Sequence, residues 1–131
     1  MTSTEQAPGG DNITIRPATE AEAGTIVETW GSLTWLASQA LGNAEGVTVG
    51  RVIIKPGERN PKHSHHNGEE VLYLISGRLE HWIGDASVVL ETGDTLTVPP
   101  DVPHYAINVG DVDADMIVAY STGDRDFNPE V

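Results

Sequence analysis

The sequence predicts an all-β fold, a barrel or sandwich built from short antiparallel strands. From Ile13 onward the chain consists of runs of five to eight residues rich in Val, Ile, Thr and aromatic side chains. Gly, Pro, Asn and Asp separate these runs, and turns spaced roughly every 8–12 residues are typical of such folds. With 131 residues, the chain is long enough for one domain with a single core.

Nine strands are predicted in order along the chain, because each run combines β-branched or aromatic residues with a turn signal at its end. They cover residues 25–30, 33–38, 47–54, 71–76, 78–83, 87–91, 95–99, 104–109 and 115–121. Good helix formers precede the first strand, but Gly24 interrupts them, so at most one helical turn is expected there.

The ends of the chain differ from its middle. Residues 1–12 are rich in Gly, Pro and polar side chains and are expected to be a disordered tail, leaving 13–131 as the single domain. The polar residues 123–131 are expected to pack as an irregular arm. The first residues show no basic and apolar leader and no run reaches the roughly 18 apolar residues of a membrane span, so a cytoplasmic protein is expected.

Charge and cysteine content exclude several classes of function. Lys and Arg total 7 against 20 Asp and Glu, a formal charge of −13. This field repels phosphate backbones and anionic lipid surfaces, so neither nucleic acid nor a membrane is an expected partner. Cysteine is absent, which excludes disulfides, thiolate metal ligands and cysteine nucleophiles.

The stretch KHSHHNGEE at residues 62–70 is the candidate site. In an extended strand His63 and His65 point to the same side, as H-x-H metal ligands do, and Glu70 follows at the start of the next strand. His66 and Glu69 should face away. The alternative interpretation is a solvated polar turn without a metal.

The sequence around these histidines resembles the cupin superfamily. Residues 57–77 match its first motif, in which glycine, H-x-H, glutamate and glycine follow at fixed spacing. Residues 93–108 match its second motif at every position but one, where Asp101 replaces a glycine. Because aspartate tolerates turn conformations, this departure is compatible with the family. The resemblance implies a double-stranded β-helix, the jelly-roll cupin barrel.

By this resemblance, His63, His65, Glu70 and His104 would bind one divalent transition metal per chain. Such a mixed nitrogen and oxygen set suits Fe, Mn, Ni, Co, Cu or Zn and does not choose among them. His81 is expected on an inward face, either hydrogen-bonded in the core or lining the pocket as a proton-transferring group. Glu70 is the other candidate for the catalytic base.

For three further residues, packing or structural roles are expected rather than catalytic ones. Asn108 is expected to be structural. Trp30 and Trp35 are expected in the core or an interface, with pocket lining as the alternative.

The resemblance leaves several functions open. We expect an enzyme that acts on a small aromatic or enolic molecule, and a quercetinase-like dioxygenase is the preferred interpretation. The alternatives are a redox-neutral metal-dependent isomerase, cyclase or decarboxylase, and a non-catalytic cupin that binds a small molecule. A homodimer is expected, in which the apolar residues 25–38 exchange between subunits.

Overall fold

The computed structural model describes residues 5–6 and 13–130, with a short helix and two large antiparallel sheets. The first half of the chain contains β1 (Glu5–Gln6), β2 (Thr14–Ile15), α1 (Ala18–Ala23), β3 (Ile26–Val27), β4 (Gly31–Ala37), β5 (Thr48–Ile54) and β6 (His63–Ser64). The second half contains β7 (Glu70–Ser76), β8 (Arg78–Ile83), β9 (Ala86–Glu91), β10 (Thr95–Val98), β11 (His104–Asn108), β12 (Ala114–Tyr120) and β13 (Asn128–Pro129).

The two sheets form the walls of the jelly-roll barrel expected from the sequence. The larger sheet has the strand order β10-β7-β12-β5-β4-β3, and the smaller has the order β13-β6-β11-β8-β9. Alternate residues are buried along β5, β7, β11 and β12, as on β12, where Ala114, Met116, Val118 and Tyr120 face inward. This period-two burial explains why the strands could be predicted from apolar alternation.

The barrel interior is apolar at one end and polar at the other. Ile54, Leu74 and Leu79 are fully buried at the apolar end, and burying each such side chain contributes roughly 1.5–3 kcal/mol. Glu70 stands two residues before Leu72 on β7, and His81 stands two residues after Leu79 on β8, so both strands carry polar groups into the same end. The apolar core therefore packs between the two sheets directly beside the polar end of the barrel, which contains Glu70 and His81 and is called the chamber below.

Several predicted boundaries need correction. The helix α1 spans six residues, more than the single turn expected, because Ala and Glu favour the helix until Gly24 ends it. The first predicted strand, 25–30, is reduced to the two residues of β3. The C-terminal arm is not wholly irregular, since β13 pairs with β6. The predicted disorder of residues 1–12 lies outside the described residues, except at β1, which pairs with β2.

Asn108 is structural, as expected. Its amide donates hydrogen bonds to the carbonyls of Ile54 and Val112, each at 2.8 Å, and its oxygen accepts one from the Gly110 amide at 2.9 Å. These bonds satisfy the backbone where β11 ends and the chain turns toward β12. The side chain closes the apolar end of the barrel and lies outside the polar chamber.

Strands β3 and β4 pair with each other, and β4 pairs with β5 of the same chain. Exchange of residues 25–38 between subunits therefore stays a prediction, as does the homodimer. In the described part of the chain, no helix has the length and apolar character needed to cross a membrane.

Candidate metal centre

Four polar side chains converge at the polar end of the barrel. His63 lies on β6, His65 follows that strand, and Glu70 and His104 open β7 and β11. The pairing of His104 with His63 joins two of them across the smaller sheet. Their exposed fractions lie between 2% and 7%, and one ligand atom from each lies within 4.8 Å of all the others. The structure thus brings together the four residues predicted from the motifs.

Backbone carbonyls orient the three imidazole rings. The Nδ1 atom of His63 donates to the Pro61 carbonyl at 2.6 Å, that of His65 to the Asp126 carbonyl at 2.6 Å, and that of His104 to the Val102 carbonyl at 2.9 Å. A carbonyl only accepts, so each Nδ1 carries the proton. The Nε2 atoms are left as the potential metal ligands, because metal-bound histidines usually donate their other ring N–H to a carbonyl or carboxylate.

Glu70 provides the negative charge at the centre. Its Oε1 lies 3.1 Å from His104 Nε2 and 3.4 Å from His65 Nε2. Burial alone would raise the pKa of the Glu70 carboxyl, but the adjacent rings of His104 and His65 outweigh burial and lower that pKa below its ordinary value. The same carboxylate, acting against the effect of burial, raises the pKa of His104.

The remaining histidine of the centre is held neutral. Burial lowers the pKa of His63 to about 4, and its ring stacks on Phe127 with the centroids 4.7 Å apart. A neutral imidazole is the form that binds metals.

His81 lines the chamber. Of the two positions expected from the sequence, a hydrogen-bonded place in the core and a place in the pocket lining, the structure shows the second. His81 is 2% exposed, its ring stacks on His104 with centroids 5.8 Å apart, and burial lowers its pKa to about 4. Among the described residues its Nδ1 has no hydrogen-bond partner. A buried nitrogen of this kind is available to a bound molecule.

A cavity of about 280 Å³ opens onto the four residues. Trp30 and Trp35 line it while also packing against the core, so the expected core position and the alternative of pocket lining are both partly correct. Tyr120 contacts the centre from β12: burial raises the pKa of its hydroxyl, and the nearby Glu70 carboxylate raises it further. The chamber is therefore walled by aromatic rings around a polar floor.

Sequence reasoning missed the contribution of the C-terminal arm. Arg125 and Phe127 line the cavity, and the Asp126 carbonyl orients His65. Phe127 is the chain's only phenylalanine and stands in a polar segment, a signal that could have indicated a specific contact.

His66 and Glu69 are exposed, as predicted. Asp101, the residue that replaces the motif glycine, has φ = +70°, the only positive value at a non-glycine position in the described chain. Its Oδ1 contacts His66 Nδ1 at 2.6 Å, and its amide donates to the His65 carbonyl at 2.8 Å. The turn thus keeps the left-handed conformation that favours glycine, and Asp101 adds a polar contact.

The donor set fits a divalent transition metal. Three imidazoles and a carboxylate are buried together, and His65 Nε2 has no hydrogen-bond partner among the described residues. A polar atom orphaned in this way requires a partner, and mixed nitrogen and oxygen ligands suit several first-row metals.

Comparisons with known proteins agree with the fold and the site. Germin-like protein 3-8 of Oryza sativa subsp. japonica is 39% identical over 61% of this chain and 38% of its own length. Protein SchB of Streptomyces halstedii is 33% identical over 66% of this chain and 63% of its own length. Polyketide synthase CurC of Streptomyces cyaneus is 34% identical over 66% of this chain and 56% of its own length. The chain therefore spans less than two thirds of each of these relatives.

Among solved structures, the S161A mutant of Bacillus subtilis oxalate decarboxylase OxdC has a TM-score of 0.80 at 21% identity, covering 95% of this chain and 34% of that one. The formate complex of the Lactobacillus farciminis oxalate decarboxylase has a TM-score of 0.80 at 18% identity, over 89% of this chain and 35% of that one. These similarities support the fold. The Cupin domain family matches residues 50–120, which is more than half of the sequence and includes all four candidate ligands, and the chain belongs to that family.

Proposed function

We propose that this cupin is a metal-dependent enzyme that catalyses a redox-neutral proton transfer or decarboxylation on a small enolic or aromatic molecule. His63, His65, Glu70 and His104 would hold one divalent metal. When bound there, the metal would supply Lewis-acid polarisation of a substrate oxygen. The observation that carries the proposal is the buried His81, which lines the same cavity as the ligands and whose Nδ1 lacks a partner among the described residues.

The chamber's own residues divide the remaining work. His81 is neutral in the fold and can accept a proton from a bound substrate and return it. Glu70 is the weaker candidate for the base, because its Oε1 already approaches His104 Nε2 and His65 Nε2 and its carboxylate would bind the metal. Trp30, Trp35 and Tyr120 would exclude water and give a planar substrate flat surfaces to pack against.

The relatives favour this class of chemistry. One is named a polyketide synthase, and polyketide intermediates are rich in enolisable carbonyls. The related structures belong to decarboxylases. The quercetinase-like dioxygenase preferred from the sequence stays a prediction and is the second candidate, since the same ligand set suits redox-active iron, manganese or copper. One related structure is described by the Mn(II) centres of its oxalate decarboxylase.

The experiment is anaerobic turnover of benzoylacetate, an enolisable acid with an aromatic ring. Deuterium exchange at its C2 atom and release of carbon dioxide are followed by mass spectrometry in D2O. We expect acceleration over buffer that falls about 10²-fold or more in His81→Gln, the range typical of a lost general base, at unchanged metal content. If benzoylacetate is turned over in air but not under anaerobic conditions, the dioxygenase is favoured instead.

A further inference from the structure

Arg125 stands at the cavity wall with its guanidinium held by three aromatic rings. Its central carbon lies 4.3 Å from the centroid of the Trp35 ring, 5.3 Å from that of Tyr120 and 5.6 Å from that of Phe127. The side chain is half-buried, so its position is determined by packing. Cation–π contact with several rings reduces the entropy that a long side chain loses when it binds a ligand.

This guanidinium has no carboxylate partner among the described residues. Arg51 and Arg78 form ion pairs with Asp115 and Glu91, but no carboxylate oxygen of the described residues lies within 4.0 Å of the Arg125 nitrogens. Glu28 and Glu70, the two carboxylates that line the same cavity, are also not paired with it. In a chain with 20 acidic and 7 basic residues, the Arg125 cation of this cavity therefore has no ion-pair partner within the described part of the structure.

Guanidinium chemistry indicates what would compensate it. The planar fork of N–H donors matches a carboxylate in a bidentate pair, and packing over a ring leaves the in-plane donors available. The formal charge of −13 repels anions at long range, so an acidic ligand needs a local cation to enter the chamber. Arg125 lines that chamber together with the ligand residues His63 and His104.

We propose that Arg125 is the specificity-determining residue that binds the carboxylate of the substrate, so that the cavity takes small organic acids. This inference rests on the proposed function and narrows its substrate class. Arg125 would anchor the acid group at the cavity wall while the enolisable carbon faces His81 and the four ligand residues. Neutral molecules of the same shape would bind more weakly, because the guanidinium would lose water without gaining a charged partner.

The test compares salicylate with salicylamide, two probes of nearly the same shape that differ in charge. Their affinities for the protein as purified are measured by isothermal titration calorimetry, with metal content determined on the same samples. In Arg125→Met, which keeps an apolar stem over the rings, the preference for salicylate is expected to fall about tenfold or more. Arg125→Lys should retain part of it, since it keeps the charge but not the planar fork.

Arg59→Met is the matched control. Arg59 also lies over an aromatic ring, 5.3 Å from the centroid of Tyr105, but it does not line this cavity, so its removal should leave the preference unchanged. An unchanged preference in Arg125→Met, or an equal loss in Arg59→Met, would overturn the inference. Wild-type protein that binds no metal would refute the proposed function, whereas the probe preference of Arg125→Met decides the role of Arg125 separately.

Discussion

The neutral state of His81 makes the stability of the metal-free protein depend on pH in a predictable direction. Burial lowers the pKa of His81 from 6.5 to about 4. Between pH 7 and pH 5 the unfolded chain therefore binds a proton at this residue, while the folded chain does not. Stability rises with pH wherever the unfolded state binds more protons, so acidification must destabilise the fold.

The magnitude follows from the two pKa values. With a pKa of 6.5 in the unfolded chain and about 4 in the folded chain, proton linkage lowers the free energy of unfolding by ~2 kcal/mol from pH 7 to pH 5. His63, whose pKa is also lowered to about 4, contributes a similar loss. The raised pKa of His104 acts in the opposite direction: its stabilisation is complete below pH 6.5 and is lost as the pH rises through the folded pKa. Both contributions are shared by wild type and a His81 variant.

The assay is urea unfolding of EDTA-treated protein at pH 7 and pH 5. We expect wild type to lose about 2 kcal/mol more than His81→Gln over this interval. His66→Gln is the control, because His66 is exposed and its contact with Asp101 raises its pKa, so its removal should not reduce the loss. An equal loss in wild type and His81→Gln would refute the conclusion that His81 stays neutral in the fold.

Three further predictions follow from the turn at Asp101, the core and strand β3. Asp101→Ala should be less stable than Asp101→Gly by ~1–2 kcal/mol in urea unfolding, because only glycine adopts φ = +70° without cost; equal stabilities would show that the turn can relax. Leu79→Ala should lose ~2–5 kcal/mol in the same assay, since Leu79 is fully buried, and a loss below 1 kcal/mol would contradict the packing described. Val27 is 78% exposed on β3, within the residues 25–38 expected at the dimer interface, so Val27→Glu should convert the expected dimer to a monomer in light scattering; a wild-type monomer at micromolar concentration would refute the dimer.

Local sequence patterns were sufficient to predict most of the barrel. Alternating apolar residues predicted β8 at its observed bounds, Arg78–Ile83, because one face of that strand packs on the core and the other does not. The H-x-H spacing likewise placed His63 and His65 beside Glu70, since these positions are close along the chain and their geometry depends on one turn.

The rest of the site depends on contacts between residues distant in sequence. Asp126 orients His65 from 61 positions away, and Arg125 and Phe127 reach the cavity because β13 pairs with β6. No local period encodes such a contact. The position of His81 was ambiguous for the same reason: an inward histidine on β8 meets either the core or the chamber, and only the register with β11, where His81 pairs with Ala106, decides between them.

The measurement that tests the account most directly is elemental analysis by plasma mass spectrometry. We expect close to one equivalent of a divalent transition metal in wild-type protein and its loss in the His63→Ala, His104→Ala double variant. The matched control, His66→Ala, removes an exposed histidine outside the cluster and should keep the metal. Wild-type protein that takes up no metal after reconstitution, or a double variant that retains it, would contradict the assignment of His63, His65, Glu70 and His104 as the metal centre.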